Sequence, residues 1–189
     1  MCRDLPAIRY ATIEDIPDLQ AIEVAAAALF RDTPYPELAL ASPISTQTYE
    51  MHFANKHPVF VAHIEAEKGN GQDQPHPRNA GFAVVAPLGK GLHLYELSVH
   101  RSDQGKGIGR ALLEHVVTYA REKGYPSVTL TTYSDISWNA PFYRSAGFNI
   151  VPRREAEPEL KDILQKEIDA GANAQNRCIM RIDLAHKRP

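Results

Sequence analysis

The sequence Gln104-Gly105-Lys106-Gly107-Ile108-Gly109-Arg110 lies between a predicted strand and a predicted helix. Glycines at alternate positions let successive backbone N–H groups approach one ligand without interference from a Cβ atom. The helix that starts here adds the unpaired N–H groups and partial positive charge of its N-terminus. The side chains of Arg101, Lys106 and Arg110 are expected to supplement these amides. The turn therefore predicts a cradle for a diphosphate group.

The spacing of this turn excludes two other phosphate-binding motifs. A dinucleotide-binding fingerprint requires glycine three residues after Gly107, where Arg110 stands. A nucleotide P-loop requires Ser or Thr after its Gly-Lys pair, but glycine follows both Lys106 and Lys90. No Rossmann fingerprint is present, and kinase or GTPase chemistry is disfavoured. A merely tight turn without a ligand is the alternative to the diphosphate cradle.

Periodicity on both sides of the turn predicts alternating strands and helices. A helix over residues 108–120 joins strands at 93–99 and 128–132, and such a crossover requires the two strands to be parallel. Strands at 59–64 and 81–87 form an antiparallel meander with the strand at 93–99. The remaining predicted strands are 7–12, 148–151 and 178–184, and the remaining helices are 16–30, 46–56, 139–146 and 157–170.

Length and charge limit the classes of protein to which the chain can belong. Since a domain commonly contains about 150 residues, residues 1–189 are expected to form one domain with a helical insertion near 155–170. A net charge of −2 provides no global field for nucleic acid or anionic lipid. The longest apolar run, residues 24–30, is far shorter than the roughly 20 residues that cross a membrane. A cytoplasmic location with free thiols at Cys2 and Cys178 is expected.

Two motifs resemble those of the GNAT superfamily of acyl-CoA-dependent N-acetyltransferases. Gln104, Gly107 and Gly109 match the family pattern Gln/Arg-x-x-Gly-x-Gly/Ala, and residues 97–103 and 142–148 also resemble the family. The resemblance implies an α+β fold, an α/β/α sandwich. Its sheet would be mixed, mostly antiparallel and twisted, with about six to seven strands and helices on both faces. The parallel fourth and fifth strands would splay apart.

The resemblance also implies acetyl-CoA as cosubstrate, with no metal. The amides of residues 105–110 would hold the pyrophosphate, and the backbone of Leu97 and Val99 would pair with the pantetheine arm as an added strand does. None of the eight histidines shows metal-ligand spacing. The residues expected to contact the cofactor are Leu97, Ser98, Val99, Gln104, Gly105, Lys106, Gly107, Ile108, Gly109, Arg110, Asn139 and Tyr143.

Direct attack of a neutral amine on the thioester creates two proton-transfer problems. A lysine-like amine with a pKa of about 10.4 must lose a proton, and the leaving thiolate, with a thiol pKa of about 8.5, benefits from a hydrogen-bond donor. Tyr143 occupies the family's general-acid position, although it could instead be an aromatic anchor for its helix. For the base, His93 resembles residues at the equivalent position in relatives, and Glu96 or a water relay is the alternative. Simple alternation places them on opposite faces of the strand unless a bulge intervenes.

The sequence departs from the family at positions that concern the acceptor. Asn139 is expected to cap the following helix, to contact the pantetheine arm, or both. Thr131 stands where relatives that acetylate protein N-termini carry glutamate, which favours a small-molecule amine as partner. Acidic residues could attract a cationic amine or form a solvated face; these are Glu155, Glu157, Glu159 and Asp162. A homodimer, a protein or peptide acetyltransferase and a noncatalytic acyl-CoA-binding or sensory module are left open.

Overall fold

The computed structural model describes residues 6–65 and 77–184, within which lie the following elements. The strands are β1 (Ala7–Tyr10), β2 (Val59–Ile64), β3 (Arg78–Leu88), β4 (Gly91–Val99), β5 (Ser127–Tyr133), β6 (Asn149–Val151) and β7 (Arg177–Asp183). The helices are α1 (Ile16–Ala27), α2 (Thr46–Ala54), α3 (Ile108–Glu122), α4 (Ala140–Ser145) and α5 (Pro158–Asp169).

In this part of the chain, seven strands form one mixed sheet in the order β1–β2–β3–β4–β5–β7–β6. The β4–β5 pair is parallel, with Leu92 opposite Val128 and Leu94 opposite Leu130. The pairs β1–β2, β2–β3, β5–β7 and β6–β7 are antiparallel. The predicted α+β fold, with parallel fourth and fifth strands in a mostly antiparallel sheet, is confirmed.

The first of two compact units comprises the described residues up to Val84 together with Glu96–His115. Asp15 anchors the start of α1, because it accepts hydrogen bonds from Arg9 Nη1 at 2.7 Å and from the Thr12 amide at 2.8 Å. The bond from Arg9 is the main reason why the pKa of Asp15 lies well below its usual range. The core of this unit joins α1 and α2 to β2 and β3 through Ile16, Leu19, Ile22, Tyr49, Val59, Val61, Phe82 and Val84.

The second unit comprises Val85–Tyr95 and the described residues from Val116 onward. Its helix α5 has Leu160 and Leu164 four residues apart, so both point to one face of the helix. These leucines pack with Ala156 and with Ile179 of β7. That residues 1–189 form one domain stays a prediction.

The end of α1 and the start of β3 depart furthest from the predicted boundaries, and α1 ends at Ala27 rather than at the predicted residue 30. Strand β3 starts at Arg78 rather than at the predicted residue 81, because Asn79 pairs with His63 of β2 and gives no apolar signal. Cys2 lies outside the described residues, and Cys178 is a free cysteine. No helix within residues 6–65 and 77–184 is long and apolar enough to cross a bilayer.

Candidate active site

The glycine-rich turn adopts a conformation that side chains disfavour. Gly105 has φ +73° and Gly107 has φ +92°, both in the left-handed region where glycine is preferred. Apart from each glycine and its two chain neighbours, no described atom lies within 4 Å of a Cβ placed on Gly105 or Gly107. The backbone angle, rather than crowding by protein, therefore selects glycine here, and a ligand can approach the main chain. The α3 helix then begins at Ile108, with the Ala111 amide donating to the Gly107 carbonyl at 3.0 Å.

The turn is tied to the end of β4 by Gln104. Its Nε2 donates a hydrogen bond to the carbonyl of Val99 at 3.0 Å. In addition, the His100 amide donates to the carbonyl of Ala80 in β3 at 2.8 Å, which fixes the chain as it leaves the strand. Gln104 therefore positions the turn through its side chain.

Beneath the turn lies Asp103, a buried carboxylate that the sequence analysis missed. Its side chain is 0% exposed and forms ion pairs with Arg78 at 2.7 Å and with Lys106 at 3.1 Å. Burial raises the pKa of Asp103, but the hydrogen bonds from Arg78 and Lys106 outweigh it and bring the pKa to about 2. The ammonium of Lys106 is thus engaged with a protein carboxylate. The sequence did contain a signal for this role, since Asp103 is an acidic residue next to a turn that carries basic side chains.

The last residues of β4 present a short polar pair. The hydroxyl of Ser98 donates to Glu96 Oε1 at 2.7 Å. Residues two apart on a strand share a face, so the alternation expected for this strand holds from Glu96 to Ser98. Glu96 is partly buried, as are Leu97 and Val99.

A second carboxylate, Glu23 of α1, lies in the field of Glu96. Burial is the largest cause that raises its pKa, the charge of Glu96 adds to it, and the pKa reaches about 7. The Ile44 amide donates to Glu23 Oε2 at 3.0 Å and opposes the rise. The sequence analysis missed this residue, because a glutamate on a surface helix gives no signal of such surroundings.

The second unit holds the tyrosine that was predicted as general acid. Tyr143 lies on α4 and is partly buried, with ring centroids 5.1 Å from Phe142 and 5.9 Å from Phe148. Its amide donates to the carbonyl of Asn139 at 3.1 Å.

The prediction that the Asn139 side chain caps α4 is wrong, because that side chain makes no capping hydrogen bond. The reason is its backbone, since ψ of −99° lies outside the extended region that capping residues adopt.

His93 is a core histidine of β4. It is 1% exposed, and its Nδ1 lies 2.9 Å from Thr129 Oγ1 of β5. Burial lowers the pKa of His93 to about 4, so the imidazole is neutral at pH 7. Its ring centroid lies 4.6 Å from that of Tyr95. His93 is therefore buried, whereas Glu96, the other candidate base, is only partly buried.

Thr131 contacts a carboxylate that comes from α5. Its hydroxyl donates to Glu167 Oε1 at 2.6 Å, and Arg177 binds Glu167 through Nε and Nη2, both at 2.9 Å.

The acidic residues that the sequence analysis named on and near α5 do not take part in this contact. All four are exposed, namely Glu155, Glu157, Glu159 and Asp162. Glu157 pairs with Arg181 at 3.0 Å. In the described ranges, no cluster of three or more His, Cys, Asp or Glu side chains is arranged to hold a metal ion.

Sequence comparison identifies similar proteins. The family model "Acetyltransferase (GNAT) domain" matches residues 55–150. A segment of 60 residues is 43% identical to N-acetyltransferase 8B of Homo sapiens. The match covers 31% of this chain and 26% of that protein, so the chain spans about a quarter of the length of this curated relative.

Solved structures with the same fold cover nearly the whole chain. The ribosomal-protein-S18-alanine N-acetyltransferase from Escherichia coli has a TM-score of 0.62 and 21% identity over 98% of this chain and 99% of that one. The PaiA N-acetyltransferase from Thermoplasma acidophilum, in complex with coenzyme A, has a TM-score of 0.63 and 16% identity over 94% and 98%. Because the sequence identities are only 21% and 16%, the structural similarity to these two enzymes shows a shared fold and nothing more.

Proposed function

Because the chain belongs to the GNAT acetyltransferase family, we propose that it transfers the acetyl group of acetyl-CoA to a primary amine. The observation that carries this proposal is the turn at Gly105 and Gly107, whose open left-handed backbone leads into the N-terminus of α3. Such a helix start binds anions through its unpaired amides and its dipole. The match of the family model includes this turn.

In the proposed complex, the amides of residues 105–110 bind the diphosphate of acetyl-CoA. The backbone of Leu97 and Val99 pairs with the amides of the pantetheine arm, as an added strand would. Asp103 fixes the turn from beneath through Lys106 and Arg78. Because Lys106 is bound to Asp103, the attraction for phosphate is left to the amides, the helix dipole and the side chains of Arg101 and Arg110.

For the base we favour Glu96 over His93. An amine with a pKa of about 10.4 must lose its proton before it attacks the thioester. His93 is 1% exposed, which keeps it from direct contact with an acceptor. Glu96 is partly exposed and precedes the residues assigned to pantetheine. His93 is then a positioning residue that holds β4 to β5 through Thr129.

We assign Tyr143 as the general acid. The nitrogen forms a bond to the carbonyl carbon, the carbon–sulfur bond breaks, and the phenol donates a hydrogen bond or proton as charge develops on sulfur. A phenol with a pKa of about 10 retains its proton at neutral pH and can serve this purpose. The acceptor proposed here is a small-molecule amine, since Thr131 replaces the glutamate expected for acetylation of protein N-termini.

An amine screen tests this function. Binding of acetyl-CoA is measured by calorimetry, and CoA release is measured with small aliphatic amines, amino acids and peptides with free N-termini. We expect turnover with a small amine. Turnover with peptides alone would instead favour a peptide acetyltransferase. Binding without CoA release from any acceptor would favour a noncatalytic acyl-CoA-binding module.

A further inference from the structure

Arg177 of β7 joins helix α5 to strand β5 in the second unit. Its Nε and Nη2 donate to Oε2 and Oε1 of Glu167, each at 2.9 Å, so the guanidinium binds this carboxylate of α5 bidentately. The same Nη2 donates to Thr131 Oγ1 of β5 at 3.1 Å, and the Thr131 hydroxyl donates to Glu167 Oε1 at 2.6 Å. Each of the three side chains is therefore bonded to the other two, and they are named here the Arg177 cluster.

Tyr133, the last residue of β5, lies against the same guanidinium. The Cζ atom of Arg177 is 4.9 Å from the centroid of the Tyr133 ring, a distance at which a cation is attracted to an aromatic face. Only 19% of the Arg177 side chain is exposed, so water screens these contacts weakly. The two residues also face each other in the β5–β7 pairing. Arg177 thus holds the end of β5 through both its side chain and its strand.

This end of β5 is paired on one side. In the part of the chain that the structure describes, β4 pairs with β5 as far as Leu94 opposite Leu130, whereas β7 pairs with it as far as Tyr133. Residues 131–133 therefore have strand partners in β7 but none in β4. Their position depends on β7 and on the side chains that bind them, which are those of the Arg177 cluster.

The residue before Arg177 holds the chain that follows β5. The amide and the hydroxyl of Ser134 both donate to the Asn176 carbonyl, at 2.8 Å and 3.1 Å. The side chain of Asn176 in turn donates through Nδ2 to Asp135 Oδ2 at 2.9 Å. Adjacent residues at the start of β7 thus bind both the end of β5 and the first two residues beyond it.

Residues 134–139 form the connecting segment between β5 and α4. Ile136 is 3% exposed, and its carbonyl accepts a hydrogen bond from the Asn139 amide at 3.0 Å. The Asn139 carbonyl accepts one from the amide of Tyr143 at 3.1 Å. A short, internally bonded stretch of chain therefore leads from the Arg177 cluster to the backbone of Tyr143, and all of it belongs to the second unit.

We propose that Arg177 and Glu167 are positioning residues for the transferase reaction, because they fix the end of β5 from which the connecting segment carries Tyr143. This assignment rests on the proposed function, in which the Tyr143 phenol donates to the leaving sulfur. It adds that α5 contributes to catalysis through side chains that touch neither cosubstrate nor acceptor. Since a misplacement of about 1 Å can reduce a rate by about 10²-fold, a less firmly held end of β5 should lower kcat.

An ion pair that does no more than hold α5 to the sheet is the alternative, and the chain offers a matched control for it. Arg181 lies four residues beyond Arg177 in β7, so the two side chains share a face of the strand. Its Nη1 binds Glu157, just before the opposite end of α5, at 3.0 Å. Arg181→Lys therefore disturbs an ion pair near the other end of the same helix and leaves the Arg177 cluster intact.

Steady-state kinetics of Arg177→Lys and Arg181→Lys test the proposal with the best amine from the acceptor screen. Lysine keeps the charge but lacks the planar fork that binds a carboxylate through two nitrogens. We expect kcat of Arg177→Lys to fall at least about tenfold. The dissociation constant of acetyl-CoA should stay within about twofold, because the amides of the glycine turn are unchanged. Arg181→Lys should keep kcat within about twofold of the wild type.

Glu167→Gln is a second variant, which removes the carboxylate rather than the guanidinium. It should lower kcat in the same direction, so the test does not depend on one variant alone. Urea denaturation shows that each variant is folded under the assay conditions. Unchanged kcat in both Arg177→Lys and Glu167→Gln, or an equal fall in Arg181→Lys, would overturn the proposal.

A Tyr143→Phe background shows whether the cluster acts through Tyr143. Once the phenol is removed, its misplacement no longer matters, so the two substitutions should not be additive. Adding Arg177→Lys to Tyr143→Phe should lower kcat by less than about twofold. A fall as large as the one in the wild-type background would overturn the proposal.

Amide hydrogen exchange separates this proposal from the function on which it rests, because it needs no turnover. Exchange at residues 134–146 should be at least about tenfold faster in Arg177→Lys than in Arg181→Lys, since the bonds that hold a segment limit its local opening. If the wild type releases no CoA with any amine but exchange responds in this way, the transferase assignment fails and the attachment through Arg177 stands. If the wild type is active and neither exchange nor kcat differs between the two variants, the transferase assignment stands and the positioning role is overturned.

Discussion

Asp103 and Glu23 are acids of the same compact unit whose surroundings have opposite effects. Asp103 is fully enclosed, yet its pKa falls to about 2 because Arg78 and Lys106 bind it. The pKa of Glu23 instead rises to about 7, because burial and the charge of Glu96 outweigh the hydrogen bond from the Ile44 amide. Cationic partners thus lower the pKa of Asp103 in spite of its burial, whereas burial beside a like charge raises the pKa of Glu23.

The largest expected effect is on catalysis and concerns Glu96→Gln. Loss of a general base typically reduces the rate by about 10²- to 10⁴-fold, so kcat/KM for the best amine should fall within that range. The dissociation constant of acetyl-CoA should stay within about twofold, because the proposed binding uses the turn and the backbone of β4 rather than the Glu96 side chain. Steady-state kinetics and calorimetry provide the two measurements.

Glu50→Gln serves as the matched control, since it removes one carboxylate from the same unit at an exposed position. A Glu96→Gln enzyme with the kcat/KM of the control would remove Glu96 from the mechanism and return His93 to consideration.

Asp103→Asn should have the next largest effect, on stability. Hydrogen bonds to charged groups contribute about 1.5–3 kcal/mol, and both cationic partners are partly exposed and can regain water. We therefore expect the free energy of unfolding to fall by about 2 kcal/mol at pH 7, measured by urea denaturation.

The pH dependence of Asp103→Asn has a defined sign. The pKa of Asp103 is about 2 in the folded protein, below its ordinary value of 3.8. Its contribution to stability is therefore present above pH 3.8 and is lost as the pH falls through 2. The difference in the free energy of unfolding between wild type and variant should therefore become smaller in acid. A difference that does not change with pH would contradict the ion-pair explanation.

The smallest expected effect is a gain in stability, opposite to the loss expected for Asp103→Asn, and it concerns Glu23→Gln. The raised pKa of Glu23 means that its stabilising contribution is complete below pH 4.5 and is lost as the pH rises through about 7. The variant should match the wild type at low pH and exceed it above pH 7. Because the side chain is only partly buried, the gain at pH 8 should not exceed about 1 kcal/mol.

Denaturation of wild type and Glu23→Gln at several pH values provides this measurement. A variant less stable than the wild type at pH 8 would contradict this account and show that the charged form of Glu23 stabilises the fold, as the charged form of Asp103 does.

Local patterns predicted much of the fold. The period of apolar residues marked α3, and a helical crossover requires parallel strands, so the β4–β5 pairing followed from sequence alone. The glycine turn was also predictable, because the left-handed angles at Gly105 and Gly107 suit glycine. In contrast, the start of β3 at Arg78 depends on polar contacts that apolar periodicity does not encode.

The electrostatics of the candidate site could not be predicted in the same way. Glu23 and Glu96 are separated by more than 20 residues along the chain, and only tertiary packing brings their fields together. The burial of His93 likewise depends on its pairing with Thr129 across the sheet. Sequence spacing identifies which residues can do chemistry, whereas the pKa depends on neighbours that come from distant elements.

The central claim is that the turn after β4 binds the diphosphate of acetyl-CoA. A crystal structure of the protein with CoA tests it most directly. The account predicts diphosphate oxygens about 3 Å from backbone amides of residues 105–110. Well-ordered CoA whose diphosphate lies away from this turn would contradict it.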